Sequence, residues 1–131
     1  MLSNSKLGFG LMRLPKDKQG NIQIDEVQRM VDSFMGKGFN YFDTAYAYAG
    51  SEEAIKETLV KKYPRDSFTL ADKLPAWKLK SQDDVQRIFT ESLQLCGVDY
   101  FDFYLLHSIE KSHYPTYEKY QCFDFVKEMK K

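Results

Sequence analysis

Phe39-Asn-Tyr-Phe-Asp-Thr-Ala45 reads as a β-strand that carries a carboxylate, Asp43, at its end. Three other strand-like runs follow the same plan. Lys6–Leu14 (KLGFGLMRL) ends near Arg13, Ser67–Leu74 (SFTLADKL) near Lys73, and Asp99–His107 (DYFDFYLLH) on His107. The four ionisable endings fall about 30 to 34 residues apart, the length of one βα unit. Barrels made of such units gather their reactive side chains at the carboxyl ends of the strands.

The segments between the strands read as helices. Asp25 opens the first, with Gln28 at capping-box spacing. Val27, Met30, Val31, Phe34 and Met35 form its apolar stripe, and Gly36 and Gly38 end it. Ser51 is expected to cap the second, with Glu52 and Glu53 in its positive first turn and Ala54, Ile55, Thr58 and Leu59 inside. Pro64 lies just past its end. Ser81 and Asp84 announce a third, striped by Val85, Ile88, Phe89, Leu93 and Cys96 and stopped by Gly97. Lys16–Asn21 is a polar turn and Ser108–Pro115 a polar loop. Tyr117–Lys131 reads as a fourth helix, with Tyr120, Phe123, Val126 and Met129 on one face. Strict alternation of strand and helix predicts an α/β fold with a parallel sheet and right-handed crossovers. The expectation is one domain spanning residues 1–131 and containing four βα units.

Composition narrows the function. The chain has 131 residues, 43% of them hydrophobic, enough for one core. Its formal net charge is zero, which argues against nucleic acid as a main partner. Met1–Lys6 is polar, and no window approaches the roughly 20 apolar residues that span a bilayer. Cys96 and Cys122 lack metal-ligand spacing and read as reduced, buried thiols. A cytoplasmic protein with no membrane partner and no bound metal fits these features.

Tyr48 lies on the loop five residues past Asp43, above the strand ends in a barrel. Asp43 on a neighbouring strand can pair with Lys73, and the lysine can then lie beside the tyrosine hydroxyl. A nearby ammonium favours phenolate, which makes a tyrosine a usable general acid near neutral pH. His107 on the next strand can orient a carbonyl. Taken singly, Asp43 reads as a turn cap, Lys73 as a solvated lysine, His107 as a structural imidazole and Tyr48 as packing. Their joint register favours a site. Arg13 reads equally as a substrate-side contact or a surface ion pair. His113, in a polar loop, reads as solvated. Gly8-Phe-Gly-Leu-Met-Arg13 fits a dinucleotide-binding fingerprint poorly, because Arg13 stands at the third glycine and Pro15 precedes any helix.

Gly38–Tyr48 (GFNYFDTAYAY), GSEEAIKETL, FTLADKLP and YFDFYLLH together resemble the aldo-keto reductases, from Gly8 to His107. The wording is similar to bacterial members with an added iron–sulfur module, whose cysteines are not in this sequence. The resemblance implies a catalytic tetrad of Asp43, Tyr48, Lys73 and His107, an NADP(H) cofactor and a small aldehyde or ketone as substrate. It also implies that Gly10, Leu11, Met12 and Arg13 face the nicotinamide through their backbone, beside Asp43. Two departures stand out. Asp72 replaces a residue that is commonly small or hydroxyl-bearing, and strand alternation should keep it out of the pocket of Lys73. The length matches the N-terminal half of a (β/α)8 barrel, whose later loops hold most of the cofactor. The expectations are therefore a working part of a reductase or, alternatively, a catalytically incomplete half-barrel. Unpaired edges on its first and last strands predict self-association.

Overall fold

The computed structural model describes residues 7–130. The polar Met1–Lys6 segment, the start of the first strand at Lys6, and Lys131 lie outside the described residues. Four parallel strands, β1 (Gly8–Gly10), β2 (Tyr41–Asp43), β3 (Thr69–Pro75) and β4 (Phe103–His107), form one sheet in the order 1-2-3-4. Crossover helices α1 (Ile24–Gly36), α2 (Ser51–Ile55) and α3 (Asp83–Cys96) connect them. Two further helices, α4 (Tyr114–Lys119) and α5 (Cys122–Met129), follow β4. The register pairs Asp43 with Ala71 and Lys73 with Leu105. This sheet is half the circumference of an eight-stranded barrel.

Alternation along the strands decides what is inside. Phe42, Leu70, Asp72, Leu74 and Leu106 point to the helices and are buried. Phe42 packs against the rings of Phe9, Phe34 and Phe68 at centroid distances of 5.6, 5.2 and 6.3 Å. Val27 and Val31 of α1, Ile55 of α2 and Leu59 beyond it complete this core at 0% exposure. A second cluster, under β3 and β4, joins Leu74, Val85, Ile88, Leu106, Tyr117 and Cys122. The predicted apolar stripes of α1 and α3 are those that pack inward, except that Met30 stays exposed.

Element ends differ from the sequence expectations. The first strand shortens to Gly8–Gly10 because the chain turns after Leu11, whose N–H bonds the Asp43 carbonyl at 2.9 Å. Leu11 and Leu14 then dive into the core. β3 starts two residues late, because Ser67 belongs to a single 3₁₀ turn, Arg65–Ser67. β4 starts only at Phe103; before it, Asp102 reaches across to the Leu70 N–H at 2.8 Å and to Arg65 at 2.9 Å.

Two of the three expected caps do not form, and the third forms only in its Asp84 arm. Asp25 lies inside the first turn of α1, and Gln28 instead donates to Asp32 and to the Thr58 carbonyl. Ser51 is the first residue of α2, with its hydroxyl on Thr44, and Gly50 before it takes φ +75°. A Cβ at Gly50 would come within 2.8 Å of Ile22. At α3 the direction of capping reverses, since the Asp84 carboxylate accepts from the N–H groups of Lys80 and Ser81. The single C-terminal helix is two, broken at Gln121 with φ +55°. The break lets Tyr117 and Cys122 both turn inward.

Candidate active site

The helix-free side of the sheet carries Tyr41, Asp43, Lys73, Phe103, Leu105 and His107. The four residues expected from the sequence meet at its carboxyl end. Lys73 extends from β3 toward β2, and its Nζ donates to Asp43 Oδ2 at 2.7 Å and to the Thr44 carbonyl at 2.9 Å. The Tyr48 hydroxyl lies 3.4 Å from the same nitrogen. The Lys73 side chain is 13% exposed and that of Asp43 33%, so the pair is partly screened from water while one carboxylate edge stays open. The loop after β2 selects between two tyrosines. Tyr46 turns away to donate to Glu91 at 2.6 Å, and Tyr48 turns over the strand ends.

His107 closes the site from β4. Its ring meets that of Tyr48 edge-on, with centroids 5.5 Å apart. Burial first, and the Lys73 ammonium second, push its pKa below the ordinary 6.5, so the imidazole is neutral at pH 7. A neutral imidazole has one N–H to donate and one nitrogen to accept. Its Nδ1 is buried with no partner among the described residues.

Three contributors had no sequence signal in the reading above. The Thr44 carbonyl is a backbone group, so residue type could not reveal that it holds the ammonium. Trp77, in the short turn after β3, packs its ring at a tilt against both His107 and His113, with centroids 5.1 Å apart in each pair. His113 is therefore not simply solvated; its Nδ1 lies 2.8 Å from the Ser108 carbonyl oxygen. Tyr117, fully buried, accepts from the Ala76 N–H at 3.1 Å, and its own proton lies between the carbonyls of Leu74 and His107. One hydroxyl thus ties together the ends of β3 and β4, where Lys73 and His107 sit.

The expected cofactor-facing segment, Gly10–Arg13, runs along the same rim. Gly10 is exposed with nothing within 4 Å of where a Cβ would stand, and Met12 is 54% exposed. Leu11 points into the core, so only its backbone faces the rim. Arg13 is exposed and makes no ion pair among the described residues. Gly10 pairs with Asp43 across the sheet, so the open space over Gly10 adjoins the end of β2. A surface concavity of about 510 Å³ lies elsewhere, between β1 and α1, and is lined by Phe9, Met30, Phe34 and Phe39.

Consecutive βα units with reactive side chains at the carboxyl ends of a parallel sheet define the half-barrel of a (β/α)8 fold. The chain belongs to the Aldo/keto reductase family, whose family model matches residues 6–131. It is 31% identical over 116 residues to an NAD/NADP-dependent indole-3-acetaldehyde reductase of Schizosaccharomyces pombe, covering 86% of this chain and 36% of that protein. It is 29% identical over 117 residues to a probable aldo-keto reductase of Glycine max, covering 82% and 34%. A solved aldo/keto reductase from Brucella melitensis superposes with a TM-score of 0.66 at 26% identity, over 92% of this chain and 44% of that one. An aldo-keto reductase from Klebsiella pneumoniae, solved in complex with NADPH, superposes with a TM-score of 0.66 at 24% identity, over 88% and 41%. The chain spans about a third of the length of the curated relatives it matches.

Proposed function

We propose that this chain carries the proton-donating site of an NAD(P)H-dependent reductase of small aldehydes or ketones. The observation that carries the reading is the position of Lys73 Nζ, held by Asp43 at 2.7 Å and facing the Tyr48 hydroxyl at 3.4 Å. The substrate oxygen is proposed to lie between that hydroxyl and the His107 ring. Tyr48 gives its proton to the oxygen as negative charge develops there, and the product is an alcohol. The phenolate left behind faces the Lys73 ammonium, whose position Asp43 and the Thr44 carbonyl fix. His107, neutral, has an N–H with which to orient the carbonyl. Trp77 shields one flank from water.

NADP(H), when bound, supplies hydride to the carbonyl carbon. The open space over Gly10 and the backbone from Leu11 to Arg13 fit the nicotinamide end of such a cofactor, beside Asp43. The family and the NADPH complex of the Klebsiella relative support the choice of cofactor. A second reading is a half-barrel without independent turnover. It is favoured by the exposure of Phe103 and Leu105 on the site's own side of the sheet. We propose a single domain and, for the half-barrel standing alone, self-association through the edges of β1 and β4.

NADPH binding followed by fluorescence quenching separates the two readings. Micromolar affinity with aldehyde-dependent oxidation supports the reductase, and absent or millimolar binding supports the incomplete half-barrel. In the active protein, Tyr48→Phe should lower turnover by ~100-fold or more with cofactor affinity nearly unchanged. Undiminished turnover would remove Tyr48 from its role.

A further inference from the structure

Beneath the helix-covered side of the sheet lies a second group of ionisable side chains, separate from the site above. Asp72 neighbours Lys73 in sequence, but its side chain points the other way and is 0% exposed. Glu52, in the first turn of α2, is 3% exposed, and Cys96, at the end of α3, is 0% exposed. One carboxylate oxygen from each acid and the Cys96 Sγ all lie within 4.8 Å of one another. The Cys96 thiol donates to Asp72 Oδ2 at 3.7 Å.

This arrangement is short of positive charge. Glu52 Oε2 is buried with no hydrogen-bond partner among the described residues; its neighbours are a second carboxyl and a thiol whose proton is directed to Asp72. Neither acid has an ion pair among the described residues. The cation that Asp72 feels is Lys73, whose ammonium is already bound to Asp43 on the opposite face. Burial of such groups without compensation is costly. The deficit is met either by a proton shared between the carboxyls or by a metal cation.

Three features favour the cation. The donors come from three different rigid elements, β3, α2 and α3, all converging on one point. The set is mixed, with two carboxylates and one sulfur. That set suits Zn²⁺, which takes thiolate and carboxylate ligands in tetrahedral sites, and not Mg²⁺ or Ca²⁺, which bind through oxygens. Lastly, Ser92, one turn before Cys96 on α3, also has a buried hydroxyl with no partner among the described residues.

We propose that Glu52, Asp72 and Cys96 form a buried structural site for a zinc-type divalent cation. The ion binds as M²⁺ without redox change, and the protons held by Asp72 and the Cys96 thiol leave to solvent. Its effect is to pin α2 and α3 to β3 from behind, directly under the strand that presents Lys73. The spacing in sequence, 20 residues from Glu52 to Asp72 and 24 from Asp72 to Cys96, resembles no short metal motif, so the strand and helix geometry alone reveals it.

The test is Co²⁺ and Zn²⁺ titration of the purified protein after treatment with a chelator. The expected result is about one equivalent of Co²⁺ per chain, a thiolate-to-cobalt charge-transfer band in the near ultraviolet, its loss on adding Zn²⁺, and a higher melting temperature with either ion. Cys96→Ala should abolish the band and weaken uptake by ~100-fold or more, while Cys122→Ala should change neither. Asp72→Thr, a substitution that removes the charge and keeps a hydroxyl, should weaken uptake while retaining the fold by circular dichroism. Folded protein that takes up no Co²⁺ would overturn the site and leave the shared proton in its place. So would uptake undiminished by Cys96→Ala. If the stripped protein loses its fold, the zinc content of protein purified without chelator decides: about one zinc per chain supports the site and none overturns it. None of these readouts depends on turnover, so the site and the reductase reading stand or fall separately.

Discussion

The two faces of the sheet are built by the same four strands and do opposite things. On the covered face, Phe42 and Leu70 are 0% exposed and lie among rings and aliphatic side chains from α1 and the segment after α2. On the open face, one residue along each strand, Phe103 is 38% and Leu105 43% exposed, and the polar groups Asp43, Lys73 and His107 gather at the carboxyl end. Strand alternation makes this division possible, because a side chain on one face leaves its neighbour's contacts untouched. Stability is drawn from one face, and the proposed chemistry is assigned to the other. Asp72 and Lys73 show the division most sharply: adjacent in sequence, they serve two separate clusters on opposite sides.

That contrast can be broken or sharpened by substitution. The largest effect is expected on the covered face, where Phe42→Ala should lower unfolding free energy by about 3–5 kcal/mol in urea denaturation. A loss below about 1 kcal/mol would mean that this face is not the main core. Next comes the tie at the strand ends. Tyr117→Phe keeps the ring but leaves the Ala76 N–H and two carbonyls short of a partner, at a cost of about 1–3 kcal/mol by the same measurement.

On the open face, Leu105→Asp should change stability by no more than about 0.5 kcal/mol while shifting the protein toward monomer in size-exclusion chromatography. A monomeric parent protein would refute the self-association on which that shift depends. The smallest effect is the pH dependence of His107. Its folded pKa lies below the ordinary 6.5, so near that pH the unfolded chain binds more protons than the folded one. Stability therefore falls as pH drops through this window. His107→Gln should flatten melting temperatures measured between about pH 7.5 and 5.5, and an unchanged slope would assign the titration to other groups.

Much of this organisation was legible in the sequence because its signals are local. The stripes of α1 and α3, the stop at Gly97 with φ +73°, and the strand-terminal Asp43 and His107 depend only on neighbours along the chain. Strand lengths were not legible. Leu11 looks like strand continuation, yet packing against α1 draws it off the sheet edge. Caps were misplaced for a related reason, since the Ser51 hydroxyl has a competing tertiary partner in Thr44. The break at Gln121 follows from Tyr117, whose hydroxyl is claimed by the ends of β3 and β4. Trp77 and the trio of Glu52, Asp72 and Cys96 were hidden because their meaning lies in contacts between elements distant in sequence.

The central claim is that the open face positions a phenol, held by an ammonium, against a carbonyl beside the cofactor. A crystal structure of the protein with NADPH and a carbonyl inhibitor tests it most directly. The account predicts the inhibitor oxygen within hydrogen-bonding reach of Tyr48 and His107, Lys73 still bridging Asp43 and Tyr48, and the nicotinamide over Gly10. A nicotinamide bound elsewhere, or a Tyr48 hydroxyl turned away from both Lys73 and the ligand, would contradict it.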